Sequence, residues 1–198
     1  KNFSGGFRGE VTLREAVARS LNTVAVRVAE DIGRARVIQS ARRLGITAPL
    51  TPHPSIALGA GEVTPLELTA AYAVFANGGF AVEPYGISEV RQGGEVVFRR
   101  STRAPRRVIE ADAAAQTTEM LRAVVAWGTG RKAKIDRPAA GKSGTSQDFR
   151  DAWFVGYAGD LVVTVWVGND NNTPTQRITG SSVPATIWKD FMSTPLAA

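Results

Sequence analysis

No cysteine occurs among the 198 residues, and His53 is the only histidine. Without thiols there can be no disulfide scaffold, no Cys-ligated zinc and no thiol nucleophile. A metal site would have to be built from carboxylates. A Ser-His-Asp triad would have to use His53, which stands between Pro52 and Pro54 and reads as a loop residue. Long apolar runs are missing too. The longest uncharged stretch, residues 44–61, contains Pro49, Pro52 and Pro54, and the next, residues 68–82, is broken by Asn77-Gly78-Gly79, so neither suits a bilayer-spanning helix. No signal peptide stands at the start. The chain opens without Met, on the loop-like Lys1-Asn2-Phe3-Ser4-Gly5-Gly6, which suggests a piece of a longer protein. Acidic residues are outnumbered, 18 against 24 basic ones, for a formal charge of +6.

What is present is ordinary globular composition. Apolar residues make up 43% and charged residues 21%, which excludes a disordered or collagen-like chain. The length suits one domain, or one domain and a fragment of another. Helical periodicity runs through the first third: a stretch with Leu13, Ala16 and Val17 that Thr12 and Glu15 open as a capping box, then residues 23–31, residues 35–44, and residues 65–76. The last has Thr64 as N-cap, Pro65 at the first position, Glu67 closing a capping box, and Leu68, Ala71, Tyr72 and Phe75 as its inward stripe. Residues 86–91 and 95–100 flank Gln92-Gly93-Gly94 as a surface hairpin. A helix over 111–127 follows, with Met120, Leu121, Val124 and Val125 inward, then strands at 139–146, 151–158 and 161–169. Gly159-Asp160 is a two-residue turn between the last two strands. A helix over 183–192 presents Ile187, Trp188 and Phe191. The order predicts an α+β fold, with helices packed on an antiparallel sheet.

Three segments bear on chemistry. Gly141-Lys142-Ser143-Gly144-Thr145 looks superficially like a phosphate loop, but the first glycine of that motif would fall on Asp136, and strand-forming residues follow it instead of a helix. An edge strand fits better. At period two, Ser143 and Thr145 share one face, where two hydroxyls can donate to a carboxylate, while Lys142 and Gly144 take the other. Gly144 lets a ligand backbone come close, and Lys142 puts a positive charge beside the cleft. A surface strand with a solvated lysine fits the same pattern. Ser20-Leu21-Asn22 lies between two helices, where a turn could bring both polar side chains to one side, although Ser and Asn at such a junction are also ordinary caps. Arg99, Arg100, Arg103, Arg106 and Arg107 crowd together without a nucleic-acid motif. A basic linker, or attraction to an anionic polymer or membrane surface, accounts for them, and nucleic acid is not expected as a partner.

In this order the segments resemble the C-terminal part of the transpeptidase domain of class A penicillin-binding proteins, the bifunctional enzymes that polymerise and cross-link peptidoglycan. The match is carried by Thr12-Leu13-Arg14-Glu15-Ala16 running into Ser20-Leu21-Asn22, by Pro54-Ser55-Ile56-Ala57-Leu58-Gly59 running into Thr64-Pro65-Leu66-Glu67-Leu68, and by residues 141–156. Gly128-Thr129-Gly130 and Ile187-Trp188-Lys189-Asp190-Phe191 also fit. The family uses Ser-x-x-Lys, Ser-x-Asn and Lys-Thr/Ser-Gly motifs. The second maps onto Ser20 and Asn22, and the third onto Lys142, Ser143 and Gly144, with Thr145 next. No serine in the chain has lysine three residues on, so the motif that supplies the nucleophile is absent.

The resemblance therefore implies a penicillin-binding protein/serine β-lactamase-like fold, incomplete at its N-terminal side, with residues 1–198 as the C-terminal portion of the domain. It implies a serine acyltransferase that needs no metal or cofactor, works outside the cytoplasmic membrane on peptidoglycan stem peptides, and is acylated by β-lactams. Ser20 and Lys142 would handle the proton in acylation and Asn22 the substrate amide. Ser143 and Thr145 would bind the terminal carboxylate, and the Thr145 N–H would form half of the oxyanion hole. A D,D-carboxypeptidase or serine β-lactamase of the same fold, or a non-catalytic binding module, would share these features. The chain alone should be inactive.

Overall fold

The computed structural model describes residues 2, 6, 8–101 and 104–194. The expectations for Ser4 and the rest of the opening loop, other than Asn2 and Gly6, and for Arg103, fall outside them.

Local rules account for the helices. Helix α1 (Leu13–Arg19) begins at Thr12, whose hydroxyl accepts from the Glu15 N–H. The reciprocal half of that box does not form, because the Glu15 carboxylate takes Arg8 at 3.3 Å and Arg19 at 3.0 Å instead. Helices α2 (Asn22–Ile32) and α3 (Arg34–Arg43) follow, and then a 3-10 turn (Pro54–Leu58). Helix α4 (Pro65–Ala76) carries the complete capping box of Thr64 and Glu67. Its deepest residues are Ala70, Ala71 and Val74, whereas Leu68, Tyr72 and Phe75 are only half-buried. Small residues make the closest approach, and the two rings pack sideways against Leu121, Ala140 and Tyr157.

Strands β1 (Glu89–Gln92) and β2 (Glu95–Arg99) form the antiparallel surface hairpin, shorter than the expected 86–91 and 95–100. Helix α5 (Ala111–Ala126) leads into the main sheet, which consists of β3 (Ala140–Thr145), β4 (Asp151–Ala158) and β5 (Leu161–Gly168) in that order, all antiparallel. Helix α6 (Val183–Ser193) closes the described fold. The expected α+β arrangement is therefore what forms, and β3 is an edge strand.

The sheet is sandwiched. Helices α4 and α5 cover one face and α6 the other. Alternation along β4 shows which residues face which layer. Phe154 meets the Trp188 ring of α6 edge-on at 5.5 Å, while the Tyr157 hydroxyl pairs with Thr118 of α5 at 2.8 Å. The core on the α6 side gathers Val125, Ile135, Phe154, Ala185, Trp188 and Met192. Here the sequence expectation needs correction: Trp188 is fully buried, but Ile187 and Phe191 are 44% and 49% exposed. The inward stripe of α6 runs through 184, 185, 188 and 192, a helical spacing that leaves 187 and 191 on its flank.

Candidate active site

The Ser-x-Asn segment is shaped by a backbone reversal. Ser20 caps α1 in the left-handed region, with φ 54° and ψ 52°, and the Leu21 N–H reaches back to Ala16 O at 2.9 Å. A non-glycine residue there costs on the order of 1 kcal/mol, a strain that clusters at functional sites. The reversal lets α2 start two residues later and turns the Ser20 side chain toward the sheet. Its hydroxyl accepts from Lys142 Nζ at 2.9 Å, bringing together residues 122 positions apart.

Lys142 stands opposite Val155 in the β3–β4 register, on the side facing α4 and α5. A second N–H donates to the Ser143 carbonyl at 2.9 Å. No carboxylate lies within ion-pair distance among the described residues. Burial without a counter-charge pulls the lysine down from 10.5 to a pKa of about 8. The solvated-lysine alternative does not describe this side chain. A lysine titrating near neutrality can both hold and pass a proton.

Ser143 and Thr145 pair with Phe154 and Ala152, so both lie on the other face of β3, and the free edge of the strand runs between them and Lys142. The Ser143 hydroxyl is 2.8 Å from the Thr129 hydroxyl, and the Thr145 hydroxyl accepts from the Gly180 N–H at 3.1 Å. At Gly144 an added Cβ would meet only the Trp153 Cβ at 3.4 Å, an ordinary contact. Asn22 lies half-buried in the first turn of α2, and its side chain makes no hydrogen bond among the described residues. Contacts thus join Ser20, Lys142 and Ser143, with Thr129 bonded to Ser143 and Gly180 to Thr145, whereas Asn22, two residues past Ser20, makes no hydrogen bond to any of them.

Two groups in this cleft were not assigned a role from the sequence. Thr129 is a lone hydroxyl between two glycines just past a helix. Gly180 lies in Thr179-Gly180-Ser181-Ser182, a run of small polar residues that reads as a loop. The other candidates sit elsewhere. His53 caps the turn before Ser55, pairing with its hydroxyl at 2.8 Å, in a cavity of about 530 Å³ that includes Glu67 but none of the motif residues. Arg99 pairs with Glu89, Arg100 with Glu83 and the Tyr85 ring, and Arg107 with the Gly78 carbonyl and the Phe80 ring, so these three serve local structure. Among the described residues no three His, Cys, Asp or Glu side chains group as metal ligands, and no helix is long and apolar enough to cross a membrane.

A half-buried lysine without a counter-charge is thus held against a serine, beside an edge strand that offers two hydroxyls, and the wider comparison gives the family of the fold that carries them. The chain belongs to the family described as the penicillin binding protein transpeptidase domain, which matches residues 2–193. Penicillin-binding protein 1A of Aquifex aeolicus is 41% identical over 97% of the chain, and penicillin-binding protein 2D of Bacillus subtilis is 34% identical over 98%. The chain spans only 27% and 29% of the length of those two proteins. The crystal structure of penicillin-binding protein 1A from Haemophilus influenzae superposes with a TM-score of 0.88 at 27% identity, covering all of this chain and 37% of that one. The structure of the penicillin-binding protein PonA1 from Mycobacterium tuberculosis gives 0.86 at 27% identity, covering 98% and 60%. Relatives named penicillin-binding protein 1A align over nearly the whole chain, in accord with the class A resemblance of the motifs.

Proposed function

We propose that the chain is the C-terminal portion of a peptidoglycan D,D-transpeptidase domain, and that the full-length protein cross-links stem peptides through a serine acyl-enzyme on the outer side of the bacterial cytoplasmic membrane. The observation that carries this reading is the 2.9 Å contact between Lys142 Nζ and Ser20 Oγ, with the lysine held near a pKa of 8 beside the free edge of β3.

The substrate peptide lies along that edge, with its terminal carboxylate on the Ser143 and Thr145 hydroxyls. A serine contributed from upstream gives its proton to the lysine of its own Ser-x-x-Lys motif and attacks the D-Ala-D-Ala carbonyl. The tetrahedral oxygen is stabilised by the Thr145 N–H and the N–H of that serine, an arrangement in which each donor is worth about 10²–10³ in rate. The amide C–N bond then breaks, and terminal D-Ala leaves with a proton delivered through the Ser20 hydroxyl, which Lys142 steadies. Asn22, with its amide uncommitted, holds the substrate amide. An amine of a neighbouring stem peptide then displaces the serine from the acyl group. β-Lactams, which carry a reactive amide and a carboxylate, acylate the same serine.

The test is covalent labelling by a fluorescent penicillin. Residues 1–198 alone should take up no label, because the nucleophile is not among them. The chain extended upstream through a Ser-x-x-Lys segment should label. Labelling of the isolated chain would overturn the assignment of the nucleophile, and no labelling of the extended protein would overturn the function.

A further inference from the structure

We propose that Thr129 is a positioning residue of the carboxylate clamp, donating its hydroxyl proton to Ser143 so that the Ser143 proton points to the substrate carboxylate; this rests on the transpeptidase reading above. The backbone around Thr129 leaves it little freedom. A Cβ on Gly128 would lie 2.2 Å from Ala18 O and 2.8 Å from Val124 Cα, so no side chain fits there. One on Gly130 would lie 3.0 Å from a Val124 methyl and 3.1 Å from the Phe154 ring. The Thr129 N–H donates to Ala18 O and the Gly130 N–H to Val124 O, each at 2.9 Å. Gly128-Thr129-Gly130 is thus wedged between α1, which Ser20 caps, α5, and the strand beside β3. What remains free is the Thr129 side chain, which is β-branched and stiff at χ1.

Its hydroxyl stands 2.8 Å from that of Ser143. A hydroxyl has one proton and two lone pairs. Either group can donate to the other in the empty cleft. With a carboxylate present, the favourable order is Thr129 to Ser143 to carboxylate, because each bond in such a chain polarises the next. Thr145 is arranged in the same way. Its oxygen already accepts the Gly180 N–H, so its proton is free to point outward. Gly180 is held to the strand as tightly as Gly128 is to α1, since a Cβ there would lie 2.3 Å from Gly144 O and 2.2 Å from Trp153 O. Each clamp hydroxyl therefore has an internal donor, and both protons are left for an anion.

The experiment measures acylation of the full-length protein by two β-lactams, one with its free carboxylate and one with that carboxylate esterified, in wild type, Thr129→Val and Thr129→Ser. Thr129→Val keeps the shape and removes the donor. It should weaken capture of the free acid about tenfold, because the Ser143 hydrogen bond to the charged carboxylate is then no longer held in line, and leave the ester unaffected. Thr129→Ser should recover the free acid. Equal losses on acid and ester would mean a merely structural role. No loss on the acid, or no recovery with Ser, would also overturn the proposal. If wild type is not acylated by either compound, the transpeptidase reading fails and this inference falls with it.

Discussion

Replacing Lys142 by Met removes the charge and keeps an unbranched apolar stem of similar length. Burial holds the lysine at a pKa of about 8 against an ordinary 10.5. Because the folded value lies below the unfolded one, the charged lysine opposes folding. That penalty is full below about pH 8, shrinks as pH rises toward 10.5, and is gone beyond it, where both states are neutral. The distance between the two values corresponds to about 3 kcal/mol, of which about 2 kcal/mol is recovered between about pH 6.5 and 9.5. Against this stand the hydrogen bonds to Ser20 Oγ and Ser143 O, both 2.9 Å, worth about 1 kcal/mol each. The Met variant should therefore be more stable than wild type by about 1 kcal/mol near pH 6.5 and less stable by about 1 kcal/mol near pH 9.5, so that the two curves cross. Urea unfolding of the chain at a series of pH values measures this directly. In the full-length protein the same substitution should slow acylation by penicillin by about 10²-fold or more, the usual reach of a positioned proton-transfer group. Parallel stability curves would mean that Lys142 titrates at its ordinary value and would refute the burial argument. Unchanged acylation would remove the residue from the mechanism.

Two further outcomes follow from the scaffold. Glu67 accepts from the Thr47 hydroxyl and N–H, the Ala48 N–H and the Thr64 N–H, and these bonds hold its carboxyl down to a pKa of about 2. Its folded value is lowered, so the tie persists through pH 4.5 and is lost only as pH falls toward 2; Glu67→Gln should speed hydrogen exchange at the Thr47 and Ala48 amides at neutral pH, and equal protection would show that the loop is held by other means. Trp188 is fully buried against Phe154 and donates to Gly156 O at 3.3 Å, so Trp188→Ala should cost about 3–5 kcal/mol in urea unfolding, and a loss below about 1 kcal/mol would contradict its place at the centre of the core.

The elements most legible in the sequence are those whose ends are fixed locally. Helix α4 matches its expected bounds because Thr64, Pro65 and Glu67 fix its start and Asn77-Gly78-Gly79 its end. Strand β4 matches because a continuous apolar run, closed by Gly159-Asp160, leaves little choice. Misreadings arise where partners are distant. Helix α6 has apolar residues at 183, 187 and 191 as well as at 184, 188 and 192, and only the sheet beneath it decides which line is buried. In the arginine-rich segment, expected as a basic linker or an attraction to an anionic surface, the pairing of Arg100 with Glu83 and of Arg99 with Glu89 has no local signal either, since those partners come from a loop and a strand earlier in the chain.

The candidate site divides the same way. Period two was enough to place Ser143 and Thr145 on one face, since that property belongs to a single strand. The link between Ser20 and Lys142 had no local signal. It depends on a serine taking a left-handed conformation, which the side chain's identity does not predict, and on packing α1 against α5 and α5 against β3 across a separation of 122 positions. The resemblance to a family supplied that link before the geometry did. Thr129 was given no role for a different reason, although its tripeptide fits the family. Its place is set by Gly128 and Gly130, where what matters is the absence of a side chain that would strike Ala18 and Val124. Lysine, serine and clamp are thus brought together by contacts too close for a Cβ, and a glycine in a sequence does not say which backbone will approach it.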